Sequence, residues 1–157
     1  CRSRPMPRSF SVLLVEDDDP LRSVLLDVLS RRGWRVHPAA RGDEACELAR
    51  EVELDFSILD LHLPGMSGVE VFRRISQEIG TLPTILMSGE ASPEETRAAL
   101  DLGMFRFLRK PIDLEALSTS LDELIRLHFG GSTSLPIRLQ DLYRRRFLSG
   151  GPPRDAR

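Results

Sequence analysis

Five short apolar runs recur along this chain, and each breaks off at a polar residue or turn before a helical stripe begins. "FSVLLV" (10–15) stops at "EDDDP", "WRVHPA" covers 34–39, and "FSIL" (56–59) stops at Asp60. "PTILM" (83–87) stops at Ser88-Gly89, and "FRFL" (105–108) leads into Arg109-Lys110-Pro111. Apolar runs of this length, bounded by turn residues, read as buried strands. Between them apolar residues return at helical spacing: Leu21, Val24, Leu25, Val28 and Leu29; then Ala45, Leu48 and Ala49; then Val69, Phe72, Ile75 and Ile79. Ala99 and Leu102 mark a fourth helix, and Leu114, Leu117, Leu121, Leu124 and Ile125 a fifth. Gly33 closes the first helix, Gly42-Asp43 opens the second, Ser92-Pro93-Glu94-Glu95 opens the fourth, and Asp113 caps the fifth. Five strands alternating with five helices predict an α/β fold, a doubly wound parallel sheet with helices on both faces.

Length and charge set the frame for that fold. The 157 residues suffice for one domain with a real core. Residues 1–9 carry three Arg and no acid and read as a disordered extension; residues 10–129 carry 13 basic against 22 acidic residues and form the domain. Residues 130–157 hold six Arg and two Asp, with "GGSTSLP" as a linker and 137–150 as a short basic amphipathic helix. An acidic body argues against nucleic-acid binding by the domain itself. Two cysteines, Cys1 and Cys46, without metal-ligand spacing fit a reducing cytoplasm, and no run approaches a membrane span. His37, His128, Cys46 and Trp34 read as packing or surface residues.

Parallel strands bring their carboxyl ends to one edge, where such sheets bind ligands. Glu16-Asp17, Asp60, Ser88 and Lys110 therefore meet there. Of 22 basic residues, 21 are Arg, and the one Lys stands at this edge. Its slim stem and point charge suit a tight anion site better than the broad fork of Arg. Three converging carboxylates need a cation, and oxygen donors without His or Cys favour Mg2+. Asp17 and Asp60 are the expected ligands, with Glu16 reaching the metal through water and the His62 backbone carbonyl completing the set. Such a carboxylate, beside a Lys and a Ser hydroxyl, is equipped to accept a phosphoryl group. Asp60 is the expected nucleophile.

"VEDD", "LDLHLPGMSG", "MSG" and "KP", in that order at successive strand ends, resemble the receiver domain of bacterial two-component response regulators (the CheY-like superfamily) over about residues 10–129. The resemblance implies a flavodoxin-like strand order 2-1-3-4-5 and a signalling module rather than an enzyme. It implies phosphorylation of Asp60 by a sensor histidine kinase or phosphotransfer protein, with Mg2+ at Glu16 and Asp17. Ser88 would be the switch hydroxyl, Lys110 the phosphoryl partner, Pro111 would follow a cis peptide, and Phe107 would be the switch aromatic. His62 and Glu90 stand where the family tunes phosphoryl lifetime. Output would reach a downstream protein or effector domain through the face of helix four, strand five and helix five. Met104, Phe105 and Arg106 depart from the small and acidic residues common there, which puts a standard dimer in doubt. Two other readings are the receiver half of a DNA-binding transcriptional regulator and an aspartyl-phosphate hydrolase of the haloacid dehalogenase type. The hydrolase needs a second acid two residues after its nucleophile, where His62 stands.

Overall fold

The computed structural model describes residues 9–130. The expectations for the N-terminal extension, the linker and the basic helix at 137–150 lie outside the described residues, apart from Ser9 and Gly130. The elements in chain order are β1 (Ser11–Val15), α1 (Asp19–Ser30), β2 (Arg35–Ala39), α2 (Gly42–Glu51) and β3 (Phe56–Asp60). They continue with α3 (Gly68–Ile79), β4 (Thr84–Ser88), α4 (Pro93–Asp101), β5 (Arg106–Arg109) and α5 (Leu114–Phe129). The five strands form one sheet in the order β2-β1-β3-β4-β5, and every neighbouring pair is parallel. This is the doubly wound order that the resemblance implies.

The described residues up to Asp113 make one compact unit, which contains the whole sheet and α1 to α4. Its centre is β3 and β4, buried along their full length, whereas the edge strands β2 and β5 are partly exposed. Pro38 sits in β2, and an edge strand tolerates the missing donor. One face of the sheet presents Leu13, Val15, Leu59 and Leu86, which pack with Ala45, Cys46 and Ala49 of α2, Val71, Phe72 and Ile75 of α3, and Ala99 of α4. Strand alternation turns Val12, Leu14, Phe56 and Ile58 to the other face, and α1 adds buried Leu25 and Leu29 there. Phe10, Trp34 and Phe56 close the start of that face as an aromatic cluster, with centroids 5.4–6.0 Å apart. Helix α5 falls in a second unit and buries Leu117, Leu121, Leu124 and Ile125 of its own stripe.

Several ends differ from the sequence expectation by one residue, for a physical reason. The apolar runs predict strands that stop before Asp60 and Ser88, yet these are the last residues of β3 and β4. The backbone ladder continues past them, with Leu61 N–H donating to the Met87 carbonyl at 2.8 Å and Lys110 N–H to the Ser88 carbonyl at 2.8 Å. Side-chain polarity does not interrupt a parallel ladder of backbone groups. Helix α2 begins at Gly42 itself, with Arg41 in the cap position and no side-chain cap. Asp18 caps α1 by accepting from Leu21 N–H at 2.9 Å, and Ser92 with Glu95 forms a reciprocal capping box on α4. In α3, Val71 takes the buried position, while Ile79 is 45% exposed beside the closing Gly80.

Candidate functional site

The carboxyl ends of β1, β3 and β5 place Glu16, Asp60 and Lys110 in direct contact. Lys110 Nζ donates to Asp60 Oδ2 at 3.0 Å and to Glu16 Oε1 at 3.0 Å. It also stands 2.8 Å from Glu16 Oε2 as an ion pair, outside hydrogen-bond alignment. The Glu16 side chain is fully buried, Asp60 is 5% exposed and Lys110 22% exposed. Asp17, the next residue along the loop, is exposed, and Glu16, Asp17 and Asp60 each offer a carboxylate oxygen within 4.8 Å of the others. One carboxylate of the three is thus open to solvent.

Burial pushes the Glu16 carboxyl above its ordinary value; the bond from Lys110 opposes this, and the charge of Asp60 adds to it. Burial disfavours the Lys110 ammonium, but its hydrogen bonds to Glu16 and Asp60 outweigh that and hold it above the ordinary lysine value. The lysine therefore carries its charge, and an anionic pocket keeps an internal counter-ion.

The turn after β3 is shaped around Asp60. His62 N–H donates to Asp60 Oδ1 at 3.2 Å, and the His62 side chain is exposed. The same pattern recurs after β4, where Glu90 N–H donates to Ser88 Oγ at 3.2 Å and Glu90 is exposed. Ser88 is fully buried and tied to Lys110 through the backbone bond already given. The Lys110–Pro111 peptide is cis. Phe107 is half-buried and packs against the core that includes Ala99 of α4. Met104 is buried in that core, and the Arg106 guanidinium lies 5.2 Å from the centre of the Phe105 ring.

Two residues that the motifs did not single out shape the pocket. Gly68 opens α3 directly against Asp60: a Cβ there would collide with the Asp60 carbonyl oxygen and come within 2.9 Å of its carbon. Its signal in the sequence is the second glycine of "GMSG", which by pattern alone marks only a turn. Arg22 of α1 donates from Nη1 to the Glu16 carbonyl at 2.8 Å and pairs through Nη2 with Asp19. Nothing local in the sequence marks an exposed-looking helix arginine as a loop anchor.

Residues 12–122 match the response regulator receiver domain. The chain belongs to that family. Among curated proteins this receiver domain is 36% identical over 116 residues to the transcriptional regulatory protein AfsQ1 of Streptomyces coelicolor, covering 74% of this chain and 51% of that protein. Among solved structures it is similar to the chemotaxis protein CheY4 of Vibrio cholerae, with 28% identity, a TM-score of 0.70, and coverage of 74% and 99%. It is equally similar in sequence, at 28%, to the receiver domain of a sensor histidine kinase from Pseudomonas aeruginosa, with a TM-score of 0.67 and coverage of 75% and 98%. That relative holds a magnesium ion in its active-site cleft. The chain spans about half the length, or less, of the curated relatives it matches. Its own carboxylates fit the same kind of ion. They supply hard oxygen donors without His or Cys within 4.8 Å of one another, and the exposed Asp17 opens the cluster to solvent. Among the described residues no helix is long and apolar enough to cross a membrane.

Proposed function

We propose that this receiver domain accepts a phosphoryl group on Asp60 and relays the change to a protein partner. The observation that carries the reading is the contact of one lysine with both Asp60 and Glu16 at the end of the central strand. An Asp60 carboxylate oxygen, released from its hydrogen bond to His62 N–H or Lys110, attacks the phosphorus of a phosphohistidine on a sensor histidine kinase or phosphotransfer protein. A P–O bond forms as the P–N bond breaks, and the electron pair leaves with the donor nitrogen. Asp17, Asp60 and the His62 backbone carbonyl would hold Mg2+, with Glu16 reaching it through water, and the ion would neutralise phosphoryl oxygens. Lys110 turns its ammonium from Asp60 Oδ2 to the new phosphoryl oxygens, and Ser88 offers its hydroxyl to them.

Ser88 Oγ accepts from Glu90 N–H before the reaction, so turning it toward a phosphoryl group releases that bond and moves the turn after β4. Phe107 follows as the ring that fills the space on the α4 side, and α4 with β5 then presents a changed surface to a downstream protein. His62 and Glu90, both exposed beside the pocket, set how long the phosphoryl group survives attack by water. In this reading the chain is a cytoplasmic phosphoacceptor rather than an enzyme in its own right. A second reading is favoured by the match to AfsQ1, of which the chain spans 51%: a receiver that governs a DNA-binding domain in a longer regulator.

The test is incubation with Mg2+ and acetyl phosphate, followed by intact-mass measurement. A phosphoryl adduct is expected on the wild type and none on Asp60→Asn. Absence of an adduct from both acetyl phosphate and a phosphorylated kinase would overturn the proposal.

A further inference from the structure

The loop from β1 to α1 supplies two of the three clustered carboxylates, Glu16 and Asp17, and its backbone is fixed at several points. Glu16 N–H donates to the Ala39 carbonyl at 3.1 Å, and Asp18 N–H donates to Glu16 Oε1 at 3.2 Å. Asp18 in turn caps α1. The Glu16 carbonyl, which leads directly into Asp17, is held by the guanidinium of Arg22 at 2.8 Å. The other prong of that guanidinium pairs with Asp19, whose side chain is 81% exposed. An ion pair so exposed contributes little stability by itself. Both prongs of one guanidinium are thus engaged, Nη1 on the Glu16 carbonyl and Nη2 on Asp19.

We infer that Arg22 is a positioning residue of the acidic pocket: its fork fixes the Glu16–Asp17 peptide and so sets the affinity of the carboxylates for a divalent cation. The inference rests on the reading of Glu16, Asp17 and Asp60 as a cation site. Glu16 is fully buried against Lys110 while Asp17 is exposed, so the peptide between them decides where the Asp17 carboxylate stands relative to Asp60. A planar fork can serve a carbonyl and a carboxylate at once, and a lysine at the same position offers a single point charge. Groups that orient metal ligands without touching the metal are commonly worth about 10–100-fold in affinity.

The sign of the effect separates positioning from simple charge. Arg22 is a cation near a cation site, so by electrostatics alone its removal tightens Mg2+ binding. By positioning, its removal weakens binding, and so does Arg22→Lys, which keeps the charge and loses the fork. The experiment is isothermal titration of MgCl2 into wild type, Arg22→Gln and Arg22→Lys, with a thermal melt of each protein. The expected result is saturable binding by wild type and roughly tenfold weaker binding by both variants. Should Arg22→Gln fail to fold, Arg22→Lys decides the matter alone. A folded Arg22→Gln that binds as tightly as wild type or more tightly, or a folded Arg22→Lys within twofold of wild type, overturns the inference. A wild type without saturable binding overturns the cation site itself, and the inference with it, which is a different result.

Discussion

Lys110 joins the site to the sheet in two ways at once: its Nζ holds Asp60 and Glu16, and its backbone N–H holds the Ser88 carbonyl. Asp60 and the end of β4 are thus joined through one residue. Arg at this position keeps the charge but puts a longer, planar fork where a compact ammonium now sits between Asp60 and Glu16. For Lys110→Arg we expect an adduct from acetyl phosphate but loss of the phosphorylation-dependent change in amide exchange over residues 88–91, read by hydrogen–deuterium exchange. A response equal to wild type sinks the argument. Glu16 gives a second prediction. Its folded carboxyl binds a proton more tightly than the ordinary glutamate value of 4.5, because burial penalises the charge. Folding thus takes up a proton, and stability falls as pH rises through and above that value. In urea denaturations with chelator present, the stability of wild type minus that of Glu16→Gln should decline as pH rises above the ordinary glutamate value of 4.5. A flat or rising difference contradicts it.

At the scale of elements, the site depends on where helices begin. Gly68 starts α3 with no Cβ between it and the Asp60 carbonyl, so the helix presses on the end of β3. Gly68→Ala must push α3 or the Asp60 backbone aside, at a cost of about 1–3 kcal/mol, and should slow adduct formation on Asp60 as well. Urea denaturation and an intact-mass time course measure the two effects, and a variant as stable and as fast as wild type rules the contact unimportant. This contact also shows where the sequence stops being informative. Strand and helix order, the parallel sheet and the gathering of Glu16, Asp60 and Lys110 follow from apolar runs and from which residue ends each run. Those are one-dimensional patterns. The roles of Gly68 and Arg22 depend on close approach between segments distant in the chain or folded back on each other, which no periodicity records. The strands run one residue further than their apolar runs, to Asp60 and Ser88, for a related reason, since backbone pairing across the sheet sets their ends and side-chain polarity does not.

For the sheet as a whole, the two edges do different work. The carboxyl edge sets two buried carboxylates against one lysine, a local departure from a fully compensated core of the kind found at functional sites. The opposite edge is closed by Phe10, Trp34 and Phe56, with the Arg32 guanidinium 5.0 Å from the centre of the Trp34 ring. Phe56 opens the strand that Asp60 ends, so about 13 Å of central β-strand separates the aromatic cluster from the carboxylates. That strand is buried along its length and close-packed, and such interiors do not deform continuously. Trp34 is the single tryptophan of the chain and sits at the quiet edge. Its emission should therefore stay constant while MgCl2 saturates the carboxylates, and shift to longer wavelength when urea exposes the ring. Calorimetry in the same buffer establishes that the metal has bound. A change in emission that tracks Mg2+ occupancy in the folded protein would show that β3 carries the event from one edge to the other. The sheet would then be part of the switch, and the switch would not be confined to the ends of β4 and β5.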